Sequence, residues 1–444
     1  MHKDTHTYDI IIIGGGCAGA STALSLIRQG IRNVAIIEKN DFLNPRVGET
    51  IQPPTSELLK ELGIWEQFLN EGHLPSYGVT SAWGSNELTY ADFIFRTQGK
   101  GWHLDRNQFD KMMLDQAEEK GITVFSGTRF KKSSWQDNKW ILECEDIKLN
   151  ARFVVDATGR SNSFAKQQGS NKVLFDDLHG IYTYWNQPKN ALKKFGTTHT
   201  LVESVENGWW YSALLPNNVL AVAFMTDTNE IKTQGLKQTD TYLKQLKNAP
   251  HTSKRVNNHE LQSIPAIKVA TSYELDNIIG DHWLAVGDCA STQDPLSSYG
   301  IHKALLNGIE AGKSIRAVFN GDNTLIKEYG LAINKGFENY LTIRYKYYRM
   351  ESRWSEHHFW KSRQHLINIH PKQELTNKSN ELQSHKSWNR ILPDKDLNIL
   401  VKSCKQTKTA EWLVRDFQKK SCNKYPDWRV IQAVAFLHEK EVIG

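Results

Sequence analysis

At 444 residues the chain is too long for one compact core, and two or three domains are expected. Its 39% hydrophobic and 23% charged content is that of a globular protein, and no apolar run approaches the ~20 residues of a membrane span. The formal charge of +6 is uneven: residues 331–444 carry a net +9 and the remainder −3, which suits an acidic partner surface or a solvated helical face, with no nucleic-acid motif beside it.

The first residues, Met1-His2-Lys3-Asp4-Thr5-His6, lack the apolar stretch of a signal peptide, so a cytoplasmic protein is expected. Tyr8-Asp9 lead into Ile10-Ile11-Ile12-Ile13, then Gly14-Gly15-Gly16-Cys17-Ala18-Gly19, a helical segment, and Val34-Ala35-Ile36-Ile37-Glu38. This is strand, glycine turn, helix, strand, acid. Gly14, Gly16 and Gly19 match the dinucleotide fingerprint. The first permits the tight turn, the second lets backbone approach a pyrophosphate, and the third lets helix pack on strand. The N–H groups of Cys17 and Ala18 open the helix toward the phosphates. Glu38, followed by Lys39, stands where ribose hydroxyls need an acceptor. The acid does not separate FAD from NAD, because both carry the same adenosine ribose.

Farther along, Ser56 to Leu62 reads as an amphipathic helix ended by Gly63, and residues 78–96 alternate as strands do. Asp105-Arg106 opens a helix running to Lys120, with Phe109, Met112, Met113 and Ala117 at helical spacing. Phe153 to Asp156 is a buried strand ending in Ala157-Thr158-Gly159-Arg160. Residues 170–274 are rich in strand signals and include Gly208-Trp209-Trp210-Tyr211-Ser212. Trp283 to Val286 is another buried strand ending in Gly287-Asp288. Pro295 to Gly300 reads as a loop before a helix from Ile301. From 330 onward the pattern is helical and aromatic, with a polar loop expected at Asn377 to Ser387. The five cysteines, Cys17, Cys144, Cys289, Cys404 and Cys422, form no pair with metal or disulfide spacing, and no metal is expected.

Three markers in order, the glycine turn at 14–19, Asp-Ala-Thr-Gly-Arg at 156–160, and Gly287-Asp288 followed by Asp294-Pro295, resemble the FAD-dependent monooxygenases built on a split Rossmann domain. The resemblance covers residues 8–330. It implies an α/β fold: a split Rossmann-type FAD-binding domain (1–76, 101–165 and 275–330), an inserted mixed or antiparallel substrate sheet (77–100 and 166–274), and a basic, aromatic, helical C-terminal region (331–444). The absence of a second glycine fingerprint argues against two-nucleotide disulfide reductases. On this likeness Asp288 accepts from a ribitol hydroxyl and Arg106 faces the pyrophosphate. Backbone N–H groups of the loop from Pro295 to Gly300 and Ile301 stabilise negative charge on the flavin.

Val47-Gly48-Glu49-Thr50 with Pro53 is similar to a segment of the halogenase-like branch, which places Glu49 and Thr50 near the flavin. Halogenases of that branch carry a lysine shortly after the position of Tyr77 and a glutamate after the Asp-Pro-Leu run. Here no lysine lies between Lys60 and Lys100, and Ser297-Ser298-Tyr299 follows Leu296. Halogenation is therefore not expected. What remains resembles relatives that oxygenate a tryptophan of a partner protein during tryptophylquinone cofactor formation, supported by residues 77–85, 101–106 and 353–360. The resemblance implies reduction of FAD by NAD(P)H, addition of O2 at C4a to give a hydroperoxide, and attack on it by an electron-rich indole of a quinoprotein precursor. Glu49 and His302 are the candidate catalytic groups, with His103 a further candidate acid or base. Trp83, Trp209, Trp210 and Tyr211 are candidate pocket residues. Hydroxylation of a small free aromatic, reduction of an isoprenoid-like double bond, and a flavin-containing maturation chaperone are the other readings.

Overall fold

A computed structural model describes residues 6–42, 46–93, 99–186, 198–364, 369–378 and 391–444. Ile10 to Ile13 are all buried, as a central parallel strand covered on both faces requires. Strand His6–Ile13 runs parallel to Val34–Glu38 on one side and Lys148–Asp156 on the other. Thr123–Ser126 and Trp283–Ala285 continue the sheet outward, also in parallel. An antiparallel pair, Phe130–Gln136 and Lys139–Cys144, extends from Lys148–Asp156. The sheet is thus assembled from segments far apart in the chain.

Helix α1 (Cys17–Arg28) follows the first strand, and α2 (Arg106–Glu119) packs beside it. Asp105 caps α2, its carboxylate accepting from the N–H groups of Asn107 and Gln108. Helix α3 (Gly300–Phe319) lies against α1 at very close range. A Cβ on Gly312 would sit 2.4 Å from Ser25 Oγ. The hydroxyls of Ser21 and Ser25 donate to the carbonyls of Leu305 and Ile309 at 2.7 and 2.8 Å. Small residues let the two backbones meet, and the contact brings the N-termini of both helices to one groove.

The second sheet runs in the order Glu260–Leu261, Leu178–Asn186, Val219–Asp227, Gly208–Leu214, Thr200–Val205, Gly78–Ala82, Thr89–Asp92. Every pairing is antiparallel except Thr200–Val205 with Gly78–Ala82. Within the span read from sequence as strand-rich, residues 228–256 instead form three short helices: Thr228–Thr233, Thr239–Leu246 and Pro250–Val256. Tyr242 and Leu246, four residues apart, turn one helix face to the sheet. The helices cover one face of that sheet, around Trp210 and Phe224. The other face carries Tyr182, Tyr211 and Met225 toward the groove.

Helix α4 (Thr324–Arg349) packs on α3. Three further helices, Asp394–Ser403, Ala410–Lys420 and Asp427–Glu439, share their own core of Leu397, Leu400, Leu413, Phe417, Val430 and Leu437. Arg429 ties this unit to the rest. Its buried guanidinium lies 2.5 Å from both Glu274 and Glu338 and stacks over Phe175 and Tyr425. Of the polar loop expected at Asn377 to Ser387, residues 379–387 lie outside those described.

Candidate functional site

The glycine turn has two closed sides and one open one. Gly14 has φ +111°, and a Cβ there would lie 2.3 Å from the carbonyl oxygen of Ala157. A Cβ on Gly19 would lie 1.9 Å from the carbonyl oxygen of Gly14. Gly16 meets only the guanidinium of Arg46, at 3.8 Å. The turn is therefore open beside an α1 N-terminus that has no side-chain cap, which suits a diphosphate.

Positive charge gathers at the same place. Arg46 Nη1 lies 2.5 Å from Asp110 Oδ2, and Arg106 Nη2 lies 3.1 Å from both oxygens of that carboxylate. Arg106 also donates to the carbonyl of Val47 at 2.7 Å. Burial pushes the Asp110 carboxyl up, but Arg106 and Arg46 outweigh it and hold the group below the usual carboxylate range. Two guanidiniums on one carboxylate leave a net positive charge, as a pyrophosphate needs. Glu38 accepts from the N–H of Gly15 (2.6 Å), the N–H of Asn40 (2.7 Å) and the amide of Asn40 (2.6 Å). One lone pair of its carboxylate remains for a ribose hydroxyl. Lys39 is exposed next to it.

At the other end, Gly287-Asp288 turns at the close of strand Trp283–Ala285. Asp288 is half-exposed and lies 3.3 Å from the buried ammonium of Lys303. Asp294 caps the Pro295–Ser297 turn by accepting from the N–H of Leu296 at 2.9 Å, and α3 begins at Gly300 and Ile301 with no side-chain cap. A groove of about 310 Å³ joins the two ends, lined by Gly16, Cys17, Ala18, Glu49, Thr50, Arg106, Asp288, Pro295, Gly300 and Ile301, with Tyr211 on its sheet wall. An elongated groove with a phosphate end and a second uncapped helix N-terminus fits FAD.

Glu49 lines the middle of the groove at 2% exposure. Its Oε1 has no hydrogen-bond partner among the described residues. Burial pushes the carboxyl up to about 7, against the pull of its own backbone N–H, of Arg106 and of the Gly48 N–H. Thr50 pairs with the Tyr211 hydroxyl at 2.7 Å. His302 does not line the groove; its Nδ1 lies 3.2 Å from Thr55 Oγ1, and its ring lies beside Tyr299. Burial lowers its pKa. His103 is fully buried, donating from Nδ1 to the carbonyl of Leu214 and accepting at Nε2 from Thr200. Burial pushes it down to about 3, so it stays neutral and holds the fold together.

The four candidate aromatics part company. Side chains alternate along strand Gly208–Leu214, so Trp209 and Tyr211 share one face and Trp210 takes the other. Trp210 stacks on Phe224 at 4.7 Å beneath the helices, away from the groove. Trp209 is fully buried and donates its indole N–H to the Tyr348 hydroxyl at 3.1 Å. Trp83 belongs to a second cavity.

That cavity is a cleft of about 1070 Å³ between α3, α4 and strands Gly78–Ala82 and Thr89–Asp92. Val79, Trp83, Leu296, Ile343, Tyr347 and Met350 supply apolar wall. Gln293 lines both cavities. Of the two cavities Gln52 lines the cleft alone, its amide donating to the carbonyl of Ser297 at 2.6 Å. The buried and half-buried charges of the cleft wall are already paired: Lys303 with Asp288, and Lys313 with Glu310 and Glu61. Arg46, Asp110, Gln52 and Gln293 were not singled out by sequence. Only Asp110 left a signal, four residues after Arg106 on one helix.

The FAD-binding domain family matches residues 7–335. LodB of Marinomonas mediterranea, named as a FAD-dependent oxidoreductase, is 30% identical over 364 residues, covering 80% of this chain and 97% of LodB. A 1H-pyrrole-2-carbonyl-[peptidyl-carrier protein] chlorinase of Pseudomonas fluorescens is 24% identical, covering 78% of this chain and 84% of the chlorinase. Among solved structures, the myxobacterial chondrochloren halogenase CndH superposes with a TM-score of 0.74 at 18% identity, over 97% of each chain. That likeness shows the same fold.

Proposed function

This chain belongs to the FAD-binding domain family and is a FAD-dependent oxidoreductase, and we propose that it is a monooxygenase acting on a tryptophan of a partner protein, a quinoprotein precursor. The observation that carries this reading is the second cleft, adjoining the flavin groove at Gln293, mostly apolar, and with its inner charges already paired. A free amino acid brings an ammonium and a carboxylate, each costly to bury unpaired. An indole within a polypeptide brings neither. A chlorinase relative is itself named for a substrate carried on a protein.

The overall change consumes one O2, one NAD(P)H and one proton. It puts one oxygen atom into an indole C–H and releases the other as water. Bound FAD supplies the two-electron, oxygen-activating chemistry. Arg46 and Arg106 would hold the diphosphate of FAD. Glu49, its carboxyl pushed up to about 7 by burial, holds or passes a proton at Oε1. Gln52 ties its part of the cleft wall to Ser297. Val79 contributes to the cleft wall, and residues 61–99 contain no lysine to hand on a chlorinating agent.

Co-expression with a quinoprotein precursor tests the proposal. The expected product is the precursor heavier by one or two oxygen atoms at a single tryptophan. A precursor of unchanged mass, beside FAD-loaded and reducible protein, would sink the protein-substrate reading. Tight complex formation with no O2 uptake would point to a chaperone, and NADPH oxidation stimulated by a free aromatic would point to a small-molecule hydroxylase.

A further inference from the structure

Asp294 opens the Pro295–Ser297 turn: Asp294 and Pro295 line the flavin groove, Leu296 and Ser297 line the second cleft, and α4 holds the turn from behind. Tyr340, Arg344 and Tyr348 are four residues apart and form one stripe of that helix. The Tyr348 hydroxyl donates to Asp294 Oδ2 at 2.6 Å. The Tyr340 oxygen accepts the backbone N–H of Asp294 at 2.8 Å. The Arg344 guanidinium lies 3.6 Å from Asp294 Oδ2 and 3.1 Å from Asp176. Asp294 spends its other oxygen on the N–H of Leu296, which shapes the turn.

Both phenols are fixed at a second point. Tyr348 accepts from the indole N–H of Trp209 at 3.1 Å, so its own proton goes to Asp294. Tyr340 shares a hydrogen bond of 2.6 Å with Ser272. All of these groups are buried, so each bond is made without competition from water. Tyr340 also lines the second cleft, next to Ile343 and Tyr347 of the same helix. One side chain therefore lines the cleft and bonds the flavin wall through its hydroxyl.

We propose that Tyr340 and Tyr348 are positioning residues for the flavin, setting the Asp294–Pro295 wall of its groove, and that Tyr340 carries filling of the second cleft to that wall. The relay rests on the reading of the cleft as the substrate's place; the positioning does not.

The FAD-loaded protein decides both. Tyr340→Phe and Tyr348→Phe remove one oxygen each and keep the rings. The expected result is a displaced flavin absorption band and a changed flavin midpoint potential in both variants, with FAD still bound. Tyr242→Phe deletes a buried hydroxyl bonded to Thr183, far from Asp294, and is expected to leave band and potential as in the wild type. Wild-type spectra and potentials in both Tyr340→Phe and Tyr348→Phe would overturn the positioning role.

For the relay, N-acetyl-tryptophanamide, an indole with capped termini, is titrated in while binding and the flavin spectrum are followed separately. The wild type is expected to bind it with a flavin difference spectrum, and Tyr340→Phe to bind it with that signal reduced at least about fivefold. Binding without a difference spectrum, or an equal one in Tyr340→Phe, would overturn the relay. No binding would remove the relay together with the substrate reading of the cleft, while the phenylalanine spectra still decide the positioning.

Discussion

Two cavities meet at Gln293, and they are built by different rules. The flavin groove is electrostatic: an open glycine turn, two arginines on one aspartate, two uncapped helix ends and a carboxyl with one oxygen unpartnered among the described residues. The cleft beside it is larger and mostly apolar, walled by strands near residue 80 and helices beyond residue 300. Charge has to be met by fixed dipoles at short range, so a few residues carry the first cavity. Apolar surface needs only shape, so the second is spread over many.

Four substitutions test that contrast, from the largest effect to the smallest. Gly16→Val adds bulk on the open side of the turn, where only Arg46 is near. The chain should fold with its thermal midpoint little changed and lose FAD affinity by at least about a hundredfold, near 3 kcal/mol, measured by flavin retention on gel filtration. Valine with flavin retained would break the contrast at once.

Glu49→Gln follows. The folded protein holds the Glu49 proton more tightly than the unfolded chain, with a pKa of about 7 against 4.5. The carboxyl therefore favours the folded state fully below pH 4.5, and that advantage disappears as the pH rises through 7. Flavin-free wild type should lose up to about 3 kcal/mol across this window. Glu49→Gln should lack that slope and be the more stable form at pH 8 in urea unfolding at pH 5 and pH 8. Parallel curves for the two proteins would show that Glu49 finds a partner.

Ile343→Glu places a charge on the half-exposed cleft wall. Oxygen transfer to the precursor should fall about tenfold with FAD stoichiometry unchanged, since burying a charge against an apolar ligand costs on the order of 1–2 kcal/mol at a site still reached by water. Loss of flavin in this variant would show that the cavities are not separable. Trp83→Phe is the mildest. It keeps the aromatic contact with Trp360 and deletes the indole bond to the carbonyl of Tyr347, so a stability loss of about 1 kcal/mol is expected in thermal unfolding.

The same contrast explains what could be read from the chain. The turn at Gly14 to Gly19, Glu38, Asp288 and the Asp294-Pro295 run can each be located in sequence because each lies within one short segment. Asp110 shows its spacing to Arg106 in sequence, but nothing local says that Arg46, 64 residues away, comes to meet it. The helices of residues 228–256 sit among strand-forming segments and take their shape from the sheet they cover. Trp209, Trp210 and Tyr211 look alike in sequence, and only pairing with Val219–Asp227 decides which faces the groove. The cleft has no motif, since its walls meet only when residues 79, 296 and 343 are brought together.

Cys17 sits in the wall of the groove and donates its thiol proton to Asp110 at 3.0 Å. Burial, then the neighbouring aspartate charge, keep that thiol protonated far above neutral pH. A protonated thiol is a poor nucleophile toward peroxide, the leakage product of any flavin reoxidised by O2. The sulfur nearest the phosphate end of the groove is thereby passivated, and oxidative wear should fall first on the exposed Cys422.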